Sequence, residues 1–216
     1  MFLTRFQINP QRREARKILG SPHAMHAAVL SGFPDPSATE EGRVLWRLDV
    51  TGPRVQLYIV SPQQPDLNHL VEHAGWPTTT TWETKAYDPF LDRIRAGQKW
   101  AFRLTANPVH NVRGEDGGRG KPLGHVTVAQ QESWLIDRQQ RSGFDLTGES
   151  ESPTLLVTRR ETLSFRRLNA QVTLRVATYE GVLTVTDRDL LVRALAHGIG
   201  RAKGYGCGLL TLAAVR

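Results

Sequence analysis

The chain has 216 residues, which is enough for one large domain or for two domains of about 100 residues each. Its formal net charge of +7 favours a polyanionic partner, either nucleic acid or an anionic membrane surface. A single cysteine, Cys207, excludes an internal disulfide and a multi-cysteine metal site. No segment approaches the ~20 consecutive apolar residues of a membrane span, and the N-terminus lacks the basic-then-apolar order of a secretory signal. We therefore expect a cytoplasmic protein that does not span a membrane.

The first half of the chain predicts strands and helices in the order β-α-β-β-α-β. Alternating or β-rich segments predict four strands, at 2–8, 44–50, 55–60 and 78–87. Ser21 followed by Pro22 is typical of a helix start, because the hydroxyl caps free N–H groups and proline fits the first helical position. This helix is predicted to end at about Gly32, and a second one is predicted from Asp66 to Ala74.

The second half repeats this order after a predicted linker at 88–97. Strands are predicted at 99–104, 154–167, 170–185 and 208–214. Helices are predicted from Thr127, which begins a capping-box pattern, to about Ser142, and again from Asp187. The glycine-rich segment at 110–124 is predicted to be a loop.

The repeated order predicts an α+β fold with two tandem ferredoxin-like domains, similar to RNA-recognition motifs, at 1–90 and 98–216. In such a domain two helices cover one face of a four-stranded sheet and leave the other face open. Open sheet faces, and the cleft between two of them, are common platforms for RNA. The sequence therefore favours nucleic acid over a membrane surface as the partner.

Two histidines on the first predicted helix are candidate catalytic residues. His23 and His26 lie three residues apart, which places both imidazoles on one helical face. RNA carries its own nucleophile, the 2′-hydroxyl, so one imidazole can take that proton while a second donor protonates the leaving 5′-oxygen. This reaction requires no metal and no cofactor, and two ligands at this spacing do not complete a metal site. Two ordinary surface histidines are the alternative interpretation.

The segment at 198–208, GIGRAKGYGCG, has five glycines in eleven residues. Glycine lets backbone N–H groups approach an anion, so Gly200, Arg201 and Lys203 are candidate RNA contacts. A dinucleotide-binding fingerprint has to follow a strand and open a helix, whereas this segment follows a predicted helix and precedes a predicted strand. A tight turn without any ligand is the alternative.

Two basic clusters lie far apart in sequence and predict an RNA-binding surface that folding assembles. Residues 1–20 carry five basic side chains against the single acid Glu14, namely Arg5, Arg12, Arg13, Arg16 and Lys17. Residues 159–175 carry five arginines against Glu161 alone, namely Arg159, Arg160, Arg166, Arg167 and Arg175. The first four of these are expected near the tip of a hairpin at 154–185, where guanidinium groups suit a nucleic-acid groove. An edge hairpin that carries charge against aggregation is the alternative.

Six segments together resemble the CasE family, the repeat endoribonucleases of type I-E CRISPR systems. They are MFLTRFQIN at the N-terminus, SPHAMH at 21–26, FRLTANP at 102–108, QQESWLIDRQQRSGF at 130–144, YEGVLTVTD at 179–187 and HGIGRAKGYGCGLLTLA at 197–213. The matching segments extend over the whole chain, and the C-terminal glycine-rich segment is the most specific of them.

This resemblance implies two ferredoxin-like domains that bind the stem-loop of each CRISPR repeat and cleave at the 3′ base of the stem. The implied reaction is attack by the 2′-hydroxyl without a metal, which leaves a 2′,3′-cyclic phosphate and a 5′-hydroxyl. The enzyme, a monomer when free, would then stay on its product and join the other subunits of the Cascade complex in antiviral defence. The family's catalytic histidine falls on His26, its arginine-bearing hairpin on 159–167 and its glycine-rich loop on 198–208.

One position departs from the family pattern, because members of the family carry a tyrosine three residues before the catalytic histidine and this chain has His23. His23 can replace the phenol as a proton donor or phosphate ligand, or it can be a passive change with Lys203 or water taking over. A non-catalytic hairpin-binding subunit of the same complex is the alternative function.

Overall fold

The computed structural model describes residues 1–77, 79–112, 121–148, 153–168 and 170–215. Its first half forms an antiparallel sheet of four strands in the order β2-β3-β1-β4. The elements are β1 (Phe2–Ile8), α1 (Arg13–Leu19), α2 (Pro22–Leu30), β2 (Leu45–Thr51), β3 (Arg54–Ser61), α3 (Asn68–Ala74) and β4 (Trp82–Ala86). This is the strand order of a ferredoxin-like domain.

The second half repeats the arrangement with additional elements. They are α4 (Asp88–Leu91), β5 (Lys99–Ala106), β6 (Val109–Val112), β7 (Lys121–Gly124), α5 (Val128–Ile136), β8 (Phe144–Asp145), β9 (Leu155–Arg167), β10 (Ala170–Val185), α6 (Arg188–His197) and β11 (Leu210–Ala214). Strands β11, β5 and β10 are neighbours in that order, and both β8 and β9 pair with β10. The predicted fold class, α+β with two ferredoxin-like units, is confirmed.

Local capping signals position the helices that carry the site. Ser21 accepts a hydrogen bond from the backbone N–H of Ala24 at 3.4 Å, and Pro22 opens α2, as predicted. Thr127 and Gln130 form the predicted capping box at the start of α5. That helix ends at Ile136 rather than near Ser142, and a separate 3₁₀ turn follows it.

Three elements differ from the predictions. Helix α1 was not predicted; no side chain caps its N-terminus, and it is stabilised by packing against α2 and α3 around the buried Ala15. Helix α4 lies inside the predicted linker. The predicted loop at 110–124 contains the antiparallel pair β6 and β7, and residues 113–120 lie outside the described part of the chain.

The second half of the chain covers the β2 side of the helix-free face of the first sheet, contrary to the expectation that the whole face would be open, whereas Arg5 and Glu83 on β1 and β4 stay exposed. Arg47 on β2 is 2 % exposed and donates hydrogen bonds to the carbonyls of Arg103 and Leu209 in the second half of the chain, at 2.9 and 3.1 Å. Asp49 accepts ion pairs from Arg47 at 2.7 Å and Arg103 at 2.9 Å. The larger hydrophobic cluster also takes Leu45 from the first sheet. That cluster contains residues of both halves of the chain. The predicted domain boundaries, 1–90 and 98–216, therefore stay a prediction.

Within the described residues, no helix is long and apolar enough to cross a membrane.

Candidate active site and RNA interface

His26 lies half-buried on α2, facing residues of both domains. The indole N–H of the buried Trp46 donates a hydrogen bond to His26 Nδ1 at 3.2 Å. An indole nitrogen can only donate, so Nδ1 has to accept, and the neutral ring carries its proton on Nε2. Among the residues that the structure describes, none forms a hydrogen bond with Nε2. The ring therefore presents a free N–H donor.

The glycine-rich loop (residues 198–208) packs directly on this pair of side chains. A Cβ atom at Gly204 would lie 3.1 Å from His26 Nε2, and one at Gly206 would lie 2.7 Å from the Trp46 ring. Gly206 also has a positive φ of 78°, which disfavours any larger residue. These two glycines are needed for close packing, so the tight-turn interpretation accounts for part of the glycine content.

The surroundings of His26 are positively charged. Burial lowers the pKa of His26 below its ordinary value of 6.5, and the charges of His23, Arg43 and Arg167 act in the same direction. Burial, followed by the charge of Arg43, also lowers the pKa of Lys203, whose ammonium donates to the carbonyl of Gly200. The ring is thus neutral near pH 7 in a groove that attracts anions.

Sequence reasoning missed Arg43 and Trp46. Arg43 is half-buried just before β2, and its Nε atom has no hydrogen-bond partner in the described structure. Nothing in the local pattern marks it as functional. Trp46 occupies an ordinary apolar position in a strand. A buried tryptophan usually needs an acceptor for its N–H, and this rule could have indicated a polar partner for Trp46.

His23 is exposed one helical turn before His26, and its charge acts on that ring. The structure therefore brings the two predicted catalytic histidines close together on α2. The roles assigned to both residues stay a prediction.

The predicted arginine hairpin is present as β9 and β10, but only two of its four arginines lie near the tip. Arg166 and Arg167 pair with Gln171 and Ala170 beside the turn. Arg159 and Arg160 lie about seven residues further down, roughly 23 Å away along the strand. The expected tip position was therefore wrong for this second pair, because the hairpin is one long ribbon.

Strand alternation also divides the arginines between two faces of the hairpin. Phe165 packs against Tyr205 of the glycine-rich loop, with ring centroids 4.8 Å apart, so the face that carries Arg167 points towards His26. Arg159 is paired with Glu161 at 2.9 Å. On the opposite face, the guanidinium of Arg160 donates to the carbonyl of Val126.

A cavity of about 400 Å³ lies between this hairpin and the junction of α1 with α2. Apolar side chains of Leu19, Leu48 and Leu163 line it, and Trp46 and Tyr205 form its wall towards the histidine. This space between the two domains adjoins the histidine through Trp46, which lines the cavity and donates to His26.

The other candidate RNA contacts are dispersed. Arg12 donates to the carbonyls of Glu72 and Gly75 at the end of α3, which gives it a structural role. Arg13 is exposed at the start of α1, and Arg201 is exposed beside Asn107. RNA binding by these three residues and by Gly200 stays a prediction.

The chain is a protein of two ferredoxin-like domains with a histidine in positively charged surroundings. Comparison with known proteins identifies its family. A model of the family described as CRISPR associated protein matches residues 1–214. The CRISPR-associated endoribonuclease Cse3 of Thermus thermophilus is 30% identical over 99% of this chain and 100% of the relative. The Cascade subunit CasE of Escherichia coli is 30% identical over 67% of this chain and 73% of the relative.

A solved structure of the CRISPR endoribonuclease Cse3 bound to a 19-nucleotide RNA superimposes with a TM-score of 0.82 at 28% identity. The superposition covers 99% of this chain and 100% of the other. The chain belongs to the CRISPR-associated protein family.

Proposed function

We propose that this chain is an endoribonuclease that processes precursor CRISPR transcripts. It binds the repeat stem-loop, cleaves at the 3′ base of the stem and stays on its product as a subunit of the Cascade complex. It is a monomer when free and acts in the cytoplasm. The names of the Thermus thermophilus and Escherichia coli relatives, an endoribonuclease and a Cascade subunit, support this assignment.

One observation carries the proposal, namely the free Nε2–H of His26 inside a groove lined by cations. Phosphate binding is favoured there because the charges of Arg43 and Arg167 act on His26, and the charge of Arg43 also acts on Lys203. The hairpin that carries Arg166 and Arg167 reaches this groove from the second domain and supplies guanidinium groups for the RNA stem.

We assign His26 the role of proton donor, and its hydrogen bond with Trp46 supports this role. With Nδ1 held by Trp46, the ring cannot accept a proton at Nε2, which already carries one. It can transfer the Nε2 proton to the leaving 5′-oxygen while the 2′-hydroxyl attacks phosphorus. The Trp46 N–H and the charges of Arg43 and Arg167 stabilise the imidazolate that remains, and water reprotonates it. The bond between phosphorus and the 5′-oxygen then breaks, which leaves a 2′,3′-cyclic phosphate and a 5′-hydroxyl. His23, exposed beside the groove, is the nearest candidate to accept the proton of the 2′-hydroxyl.

Metal-independent cleavage is part of the proposal. The attacking oxygen comes from the substrate, and the charges that stabilise the phosphorane transition state come from arginine and lysine side chains. Incubation of the protein with labelled repeat RNA in excess EDTA is expected to give specific cleavage. Loss of cleavage in EDTA, with recovery on addition of Mg²⁺, would contradict this part.

The His26→Ala variant tests the assigned role. General acid–base catalysis contributes about 10²–10⁴-fold, so the single-turnover rate is expected to fall by at least about 100-fold while stem-loop affinity stays within a few fold. A substrate with sulfur in place of the leaving 5′-oxygen needs no proton donor, so it is expected to restore the variant to near the wild-type rate. Failure of sulfur to rescue the variant would assign His26 to another role, and a large loss of affinity would make it a structural residue.

The alternative, a subunit that only binds the hairpin, predicts tight binding of repeat RNA and no cleavage by the wild-type chain. The same incubation separates the two functions.

A further inference from the structure

A second basic pocket, separate from the His26 groove, lies in the C-terminal half of the chain. It has a volume of about 480 Å³ and opens between β6, α5 and the first residues of the glycine-rich loop. Its charged and titratable lining consists of five basic side chains and one acid, namely His110, His125, Arg138, Arg141, Arg201 and Asp137. Such a lining selects for anions.

Several nitrogen atoms of this pocket lack partners. Arg138 Nε, Trp134 Nε1 and His125 Nδ1 are buried and have no hydrogen-bond partner within the described residues. The first two can only donate. Arg138 is held in place by stacking 4.1 Å from the Trp134 ring and by a hydrogen bond to the Trp134 carbonyl at 2.7 Å. A buried donor without an acceptor is costly, and an oxyanion supplies several acceptor atoms at once.

The cations of the pocket are crowded together. Burial, followed by the charge of Arg141, lowers the pKa of Arg138, and burial, followed by His110 and Arg138, lowers the pKa of His125. In the described part of the chain, no ion pair engages Arg138, Arg141 or Arg201. A bound anion would relieve this repulsion.

The glycine-rich loop connects this pocket with the His26 groove. A Cβ atom at Gly200 would lie 2.9 Å from the Trp134 ring, and one at Gly204 would lie 3.1 Å from His26. Four residues of extended chain span at most about 14 Å, so the pocket lies within a few nucleotides of the histidine.

We propose that this pocket binds a backbone phosphate of the single-stranded RNA that flanks the repeat stem. The inference rests on the proposed function and names a second contact for the same substrate. A flexible strand is favoured because its backbone can bend so that one phosphate enters the pocket, whereas an A-form duplex holds its phosphates at fixed positions on a convex surface.

The test compares two RNAs, the stem-loop alone and the stem-loop with its single-stranded flanks. Arg141 is exposed, so Arg141→Gln removes one charge without disturbing the core. Affinity for the flanked RNA is expected to fall about threefold to tenfold at low salt, with a decrease of about 0.7 in the salt slope. Affinity for the bare stem-loop is expected to change less than twofold. Arg138→Gln is expected to behave in the same way, and circular dichroism shows whether this half-buried variant is folded.

Arg193→Gln on α6 is the matched control, because it removes an exposed arginine outside both basic regions. If Arg141→Gln loses equal affinity for both RNAs, the pocket contacts the stem and the proposal is overturned. Unchanged affinity for both RNAs, with or without impaired assembly with other Cascade subunits, would overturn it as an RNA site. Cleavage of the repeat by the wild-type chain is measured independently of these affinities. Failure of the inference is therefore distinguishable from failure of the proposed function.

Discussion

The hydrogen bond from Trp46 to His26 fixes the tautomer of the neutral ring at the candidate active site. It stabilises the neutral ring, because protonation of Nδ1 would set two N–H groups against each other. Burial and nearby cations act in the same direction, so the pKa of His26 is lowered. The ring is thus neutral with its proton on Nε2, which is the form that the proposed role in proton donation uses.

The Trp46→Phe variant removes this donor and keeps an aromatic ring. The pKa of His26 is expected to rise relative to the wild type, because the neutral form loses its hydrogen bond, and the free energy of unfolding is expected to fall by about 1–3 kcal/mol. NMR titration of the imidazole measures the pKa, and its nitrogen chemical shifts report the tautomer. Trp82→Phe, at a tryptophan that contacts the N-terminal core but not the histidine, is the control. An unchanged titration of His26 in Trp46→Phe would contradict the role of this bond.

The same pKa shift has a consequence for stability. Because the folded pKa of His26 is depressed, its contribution is complete above the unfolded value of about 6.5 and is lost as the pH falls towards the folded value. In Trp46→Phe this loss is expected to be smaller over the same pH range.

The residues of the candidate site differ in how far they could be predicted from the sequence. His26 was predictable because an imidazole at this helical position suits RNA cleavage and matches the family pattern. Arg43 was not predictable, because its place beside His26 depends on how α2 and β2 pack together. The position of Trp46 showed that it would be buried but not which acceptor its N–H would find.

The hairpin formed by β9 and β10 carries exposed arginines at its tip. Arg166 and Arg167 are exposed beside the turn, and Leu168 adopts a φ of 53° and is 88% exposed. Because neighbouring strand residues point to opposite faces, one of these arginines faces the His26 groove and the other faces away. A ribbon with a cation on each face at its tip fits an RNA groove that has a phosphate strand on either side.

Reversal of both charges, Arg166→Glu with Arg167→Glu, is expected to weaken stem-loop binding by at least about tenfold at low salt and to flatten its salt dependence. Measurement of the dissociation constant over a range of salt concentrations gives both quantities. The control is Lys85→Glu with Arg193→Glu, which makes the same change in net charge at exposed positions elsewhere. If the hairpin variant has an unchanged salt slope, the tip is not part of the interface.

Elements with local signals were predictable, and elements that depend on packing were not. Helices α2 and α5 begin with side-chain caps that the sequence displays. Helix α1 has no such cap and exists because Ala15 is buried between neighbouring helices. The pairing of β6 with β7 joins residues on either side of a glycine-rich segment that reads as a loop.

At the scale of the whole molecule, the active site is assembled from both halves of the chain. His26 and Trp46 come from the first domain, and Gly204, Gly206 and Arg167 come from the second. The ion pair of Asp49 with Arg103 and the hydrogen bonds of Arg47 to the carbonyls of Arg103 and Leu209 hold the two sheets together. The repeated β-α-β-β-α-β order predicted the two sheets, but not this interface, because the polar residues that form it follow the ordinary alternation of a strand.

The central claim, that the substrate supplies its own attacking oxygen beside His26, is tested most directly by one change in the RNA. A 2′-deoxy substitution at the single nucleotide 5′ of the cut removes the nucleophile and leaves the stem and its charges intact. Single-turnover assays are expected to show normal binding and no detectable cleavage of this RNA by the wild-type chain. Cleavage at the normal rate would contradict the account, since it would require water or another external nucleophile.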